Sequence, residues 1–120
     1  MDNLSLRPIV WVGDWRKRIR DFPLEVQKRI GDALQLVQFG GMPLEAKPFK
    51  GVGSGVYEIV RRFDNDTYRA VYAVQIADEI YVLHAFQKKS KSGIKTPKQD
   101  VELIKQRYRQ ALEEAKNESS

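Results

Sequence analysis

The chain has 120 residues and a hydrophobic content of 42%, enough for one core and not for two. No run approaches the roughly 20 apolar residues that a membrane helix needs, and the absence of cysteine excludes disulfides and thiolate metal sites. Against 16 acidic residues stand 21 Lys and Arg, a net charge of +5 that suits a polyanionic partner, either nucleic acid or an acidic protein segment. Residues 1–5 carry an acid and no apolar run, so no secretory signal is expected and a cytoplasmic location is.

In chain order, Pro8-Ile9-Val10-Trp11-Val12 predicts a short strand. Gly13-Asp14 supplies a turn and an N-cap. Trp15, Ile19 and Phe22 then recur at i, i+4 and i+7, one face of a short helix whose other face carries Arg16, Lys17, Arg18 and Arg20. Pro23 opens a second helix, with Glu25 suited to its positive end. Val26, Ile30, Ala33, Leu34 and Val37 form its apolar stripe, and Gly40-Gly41 stops it.

Three segments rich in β-branched and aromatic residues follow: Val56–Phe63, 67–76 and 79–87. The short polar joints Asp64-Asn65-Asp66 and Ala77-Asp78 predict consecutive antiparallel hairpins. Thr96-Pro97-Lys98-Gln99 is a capping box, and Val101, Ile104, Tyr108 and Leu112 give the last helix its stripe. The expected architecture is therefore α+β, in the order β-α-α-β-β-β-α, with a small, mostly antiparallel sheet. Residues 1–115 form the expected single domain and 116–120 a frayed polar tail.

One histidine and no spaced carboxylate cluster leave little to bind zinc. No phosphate-binding P-loop and no nucleophile elbow are present. Gly51-Val52-Gly53-Ser54-Gly55 precedes a strand rather than a helix and reads as a connection. The cationic features carry more. From His84 to Gln99 the chain holds Lys88, Lys89, Lys91, Lys95 and Lys98 and no acid, leading into a helix N-terminus where anions are favoured. Arg61, Arg62 and Arg69 flank the Asp64–Asp66 turn, interleaved with Tyr57, Tyr68 and Tyr72, and an exposed ring there could stack on a base. Alternation places Arg69 and Val71 on one face and Tyr68, Ala70 and Tyr72 on the other. His84 stands in the row of Ile80, Val82 and Phe86. Lys47 and Lys50 can curl toward the same edge.

Taken together, Lys47-Pro48-Phe49-Lys50-Gly51, Gly55-Val56-Tyr57-Glu58-Ile59 and Tyr68-Arg69-Ala70-Val71-Tyr72 resemble the phage-derived Gp49-like branch of the RelE/HigB toxins. The stretch from Tyr81 to Ser90, with Thr96-Pro97, is the most specific part, and the similarity spans roughly residues 8 to 110. The resemblance implies a ribosome-dependent endoribonuclease that cuts messenger RNA without metal or cofactor. It also implies a helix-turn-helix antitoxin encoded nearby. On this resemblance Arg69 stabilises the phosphate, Lys88 and Lys89 hold phosphates or transfer protons, and His84 and Tyr72 orient or protonate. Lys47 and Lys50 guide the RNA and Glu58 matches the motif with a structural role, while Arg62, Lys91 and Lys95 are RNA-binding candidates on their charge.

The chain departs from the pattern at one place. Val60 occupies the family's usual arginine position on the first hairpin strand, and Arg61 comes one residue later. Arg61 can substitute only if a bulge turns it to the Arg69 face. Without that bulge the site lacks a cation, which favours the alternative of a decayed module that binds antitoxin or RNA without cutting. A DNA-binding regulator acting alone is opposed by the lack of a helix-turn-helix pattern.

Overall fold

The computed structural model describes residues 6–13, 15–88 and 96–118, with the side chains of Trp15 and Glu118 excepted. Its elements are β1 (Ile9–Trp11), α1 (Trp15–Arg20), α2 (Leu24–Gln38), β2 (Ala46–Pro48), β3 (Val56–Phe63), β4 (Asp66–Ile76), β5 (Glu79–Lys88) and α3 (Lys98–Glu118). The strands form one five-stranded sheet in the order β1-β5-β4-β3-β2. Only β1 runs parallel to its neighbour, β5; the other pairings are antiparallel. Among the described residues no helix is long and apolar enough to cross a membrane.

The two hairpins form where the joints predict. Asp64 and Asn65, then Ala77 and Asp78, all take positive φ, the conformation of tight two-residue turns whose twist matches the flanking strands. Arg7 secures the second turn by donating to the carbonyls of Asp78 and Glu79, each at 3.2 Å. β2 has no counterpart in the sequence reading. Three residues are too few to show a period of two, and Pro48 is tolerated because β2 is an edge strand.

Each face of the sheet has its own core. On one, Val26, Ile30, Ala33, Leu34 and Val37 of α2, with Phe22, cover Ile59, Tyr68, Ala70, Tyr72 and Val82. On the other, Ile104 and Ala111 of α3 cover Val71, Ala73, Tyr81, Leu83 and Phe86. Tyr108 of α3 lies over the glycine-rich connection, where a Cβ on Gly53 would stand 2.5 Å from its ring, so a side chain there would displace the Tyr108 ring.

The helix boundaries refine the expectations. Pro97 lies before α3 rather than in its first turn, and its carbonyl accepts from Asp100 and Val101. α3 also continues through Lys116 and Asn117, where a frayed tail was expected. Lys116 in the last turn suits the negative helix end. Leu112 is largely exposed and lies outside the apolar seam, which Ala111 completes instead. Asp14, expected as the cap of α1, lies outside the described residues.

Candidate functional site

Strand register sorts the sequence candidates onto opposite faces. On the α3 face, three rows cross the sheet: Lys47, Glu58, Val71 and His84; then Val60, Arg69 and Phe86; then Arg62, Thr67 and Lys88. Lys47 and Arg62 are exposed at the margins, whereas Glu58, Arg69, His84 and Lys88 are all buried. Charged residues are almost never fully buried unless paired, so four titratable side chains enclosed on one sheet face mark a built cluster.

Glu58 and Arg69 are diagonal neighbours across β3 and β4. The Arg69 Nη1 donates to Glu58 Oε1 at 2.5 Å. Its Nε is buried and has no hydrogen-bond partner among the described residues. Lys88 completes the group; burial holds its pKa below the usual lysine value, the Arg69 charge lowers it further, and Glu58 acts in the opposite sense.

A β-bulge decides where His84 points. Val71 pairs with His84 while the next residue, Tyr72, pairs with Val82, so Leu83 is the extra residue on β5. Ile80 and Val82 therefore remain under α2, and His84 and Phe86 turn toward α3. The single row of four expected from plain alternation is thus split in two. Arg107 of α3 fastens the bulge, donating from Nη1 to the Leu83 carbonyl at 3.1 Å. Its guanidinium lies so close over Gly13 that a Cβ there would stand 2.7 Å away, and φ at Gly13 is +85° besides.

His84 is 1% exposed; its ring stacks on Phe86 and its Nε2 lies 2.8 Å from Asp100 Oδ1 in the first turn of α3. Nδ1 is buried without a partner among the described residues, consistent with a neutral ring donating from Nε2. Burial pushes the histidine pKa down. Asp100 opposes this, while Arg107 and Arg18 reinforce it. Arg18, His84, Lys98 and Asp100 line an open groove of about 720 Å³ at the start of α3.

Two residues expected at the site are on the other face. Tyr72 pairs with Tyr57 and Val82, is 1% exposed, and stacks on Tyr57 at 5.9 Å between ring centroids beneath α2. Burial raises its phenol pKa far above the ordinary range, and its hydroxyl has no partner among the described residues. The β3–β4 register runs unbroken from Val56↔Ala73 to Phe63↔Asp66, so no bulge turns Arg61 toward Arg69. Arg61 instead pairs with Tyr68 and reaches Glu25 of α2 at 3.1 Å. A bulge does occur in this sheet, but on β5 and not on β3.

The family model of the phage-derived protein Gp49-like matches residues 17–109. The chain belongs to the Gp49-like family. A solved structure of the E. coli toxin RelE, a double arginine-to-alanine mutant in the free state, shares its fold. The TM-score is 0.55 at 14% identity, covering 88% of this chain and 98% of that one. No curated protein matches the sequence.

Within this Gp49-like chain the charged cluster therefore unites Arg69, Lys88 and His84 on one face, with Lys47 and Arg62 at its margins. Lys50 lies in the exposed turn after β2, and Lys89, Lys91 and Lys95 lie outside the described residues. Sequence reasoning left out Asp100, Arg18 and Arg107 and gave Glu58 only a structural part. Glu58 was within reach: counting back from the Asp64–Asn65 turn sets Val60 opposite Arg69, and Glu58 two residues on shares that face. The partners of His84 depend on how α3 docks, which local spacing does not encode.

Proposed function

We propose that this chain is the toxin of a toxin–antitoxin pair and a ribosome-dependent endoribonuclease of the cytoplasm, held inactive by a helix-turn-helix antitoxin. Membership of the Gp49-like family and the fold shared with the E. coli toxin RelE support this reading. The observation that carries it is the cluster on the α3 face. There Arg69 and Lys88 lie with the Glu58 carboxylate, and an Arg69 N–H without a partner among the described residues is left for an incoming acceptor.

In the proposed reaction the RNA 2′-oxygen attacks the adjacent phosphorus, a cyclic phosphate forms, and the bond to the 5′-oxygen breaks. Such a transfer needs cations beside the negative charge that develops on the phosphorane oxygens, and proton movement at the 2′- and 5′-oxygens. Arg69 supplies the fixed charge. Lys88, whose pKa burial and the Arg69 charge hold below the usual lysine value, is the group suited to exchange a proton. His84 is too enclosed to meet the RNA directly and acts by holding Asp100 and the start of α3 beside the cluster. Lys47 and Arg62 meet the flanking phosphates. With so few acid–base groups, the protein cuts slowly unless the ribosome fixes the messenger in place.

The test is induced expression in a bacterial host, with and without the adjacent gene, while 5′ ends of messenger RNA are mapped. Growth arrest with new cuts inside translated frames, suppressed by the neighbour and abolished by Arg69→Lys, is the expected result. Arg69→Lys keeps a cation against Glu58 but loses the planar fork, and its fold is checked by circular dichroism. The position of Arg61 on the opposite face supports a second reading, a binding module that no longer cuts. Normal growth and intact messenger RNA with folded protein would establish that reading instead.

A further inference from the structure

Glu58 is the cluster member to which the sequence motif gives a structural role only and the proposed chemistry gives no task. A lone carboxylate 6% exposed is costly to keep, and replacing a buried ion pair by apolar residues is often neutral or stabilising. Its retention among cations calls for another explanation. We propose that Glu58 is a positioning residue of the active face: it grips the Arg69 guanidinium by one arm and balances Lys88, so that the pair meets a phosphate with one net positive charge. The RNA substrate in this statement rests on the function proposed above; the charge balance does not.

The placement carries the inference. Glu58 bonds Arg69 through Nη1 alone, which fixes the planar group while Nε stays unpartnered among the described residues. Charged groups of three other strands share the face of Lys88. Arg69 comes from β4, Arg62 and Glu58 from β3, and Lys47 of β2 stands opposite Glu58. On β5 itself His84 is engaged by Asp100 of α3, so that carboxylate serves the histidine. Among these groups Glu58 is the carboxylate acting on Lys88, and it holds the lysine pKa up against burial and against Arg69. Without it, two cations would crowd one enclosed patch, and Arg69 could swing.

Glu58→Gln tests this in the full-length protein. The amide keeps the shape and an acceptor oxygen but removes the charge. The Lys88 ammonium, followed by NMR, is expected to titrate at lower pH than in the wild type, since the charge that raises its pKa is gone. Affinity for inorganic phosphate, read by the same spectra, changes with it. In a translation extract, cleavage falls about tenfold or more through kcat rather than KM, as expected for a group acting on the transition state. The limb of the pH profile shifts by the same amount as the Lys88 titration. Glu58→Asp separates the two tasks: the charge remains, so Lys88 titrates near its wild-type value, but the shorter reach releases Arg69 and cleavage still falls. If Glu58→Gln will not fold, the Asp variant alone decides: wild-type cleavage by that variant overturns the positioning task. Unchanged Lys88 titration and phosphate binding in a folded Glu58→Gln, with only stability reduced, overturn the whole proposal. A wild-type protein that cuts nothing defeats the nuclease reading instead, and the Lys88 titration still judges Glu58.

Discussion

The two faces of the sheet are made by the same strands, residue by residue in alternation, yet they are built to different ends. Beneath α2 lie Ile59, Ala70, Tyr72 and Val82, none more than 1% exposed, with the pair Arg61–Glu25 at their rim. Beneath and beside α3 the same strands enclose Glu58, Arg69, His84 and Lys88. Apolar burial stabilises at roughly 25 cal/mol per Å², whereas burying charge seldom returns its desolvation cost. The α2 face is therefore stabilised by apolar burial throughout, whereas the α3 face sets buried charges beside an apolar core of its own. The α3 face gives up part of that stability to keep cations poised in a water-poor setting, where an electrostatic contact with phosphate is stronger than in solvent.

The largest effects should follow from cutting into the α2 face. Tyr72→Ala removes a fully enclosed ring and its stack on Tyr57, and should cost about 3–5 kcal/mol in urea unfolding. Tyr72→Phe removes only the unpartnered hydroxyl, and stability should stay at or slightly above wild type, since an unsatisfied buried polar group is lost. Toxicity should persist in the Phe variant. Loss of toxicity in stable Tyr72→Phe would bring that hydroxyl back into the chemistry and blur the division between the faces.

Much of this division was legible beforehand, and the exceptions have physical reasons. The alternation of Arg69 with Tyr68 and Tyr72 on β4 was readable because the strand is long and its turns are strongly signalled. The stripe of α2 was equally plain. The position of Arg61 turned on whether β3 carried a bulge, and nothing in Val60-Arg61-Arg62 marks one or excludes one. The bulge at Leu83 interrupts a run of buried residues from Ile80 to Phe86. Where both faces are covered, hydrophobicity no longer alternates and cannot report a slip in register. Only the docking of α3, through Arg107 and Asp100, fixes it.

A smaller effect should appear on the α3 face when pH is varied. The folded protein holds His84 below its ordinary pKa of 6.5, chiefly through burial. Wherever the unfolded histidine is charged and the folded one neutral, unfolding takes up a proton. Stability should therefore be level above about pH 7.5 and decline as pH falls through 6.5 toward the folded value, by at most about 1.4 kcal/mol per pH unit. His84→Gln should flatten this slope between about pH 7.5 and 5.5, above the range in which most carboxylates titrate. An unchanged slope in that variant would show that the proton goes elsewhere and that the His84–Asp100 contact does not govern how α3 sits.

The smallest effect should come from Arg61, and its smallness is informative. The arginine is 26% exposed and its partner Glu25 is 56% exposed, so the pair is screened by water and worth about 0.2–1 kcal/mol. Arg61→Ala should lower the unfolding midpoint slightly, an effect that shrinks further as salt rises, and should leave RNA cleavage unaltered. That outcome separates Arg61 from Arg69, eight positions away on the neighbouring strand, where a change of comparable chemistry should abolish toxicity. A strong loss of cleavage in a folded Arg61→Ala would mean that RNA contacts both faces of the sheet at its β3 end. The active surface would then have to wrap around the hairpin of β3 and β4 rather than stop at the row of Arg62, Thr67 and Lys88.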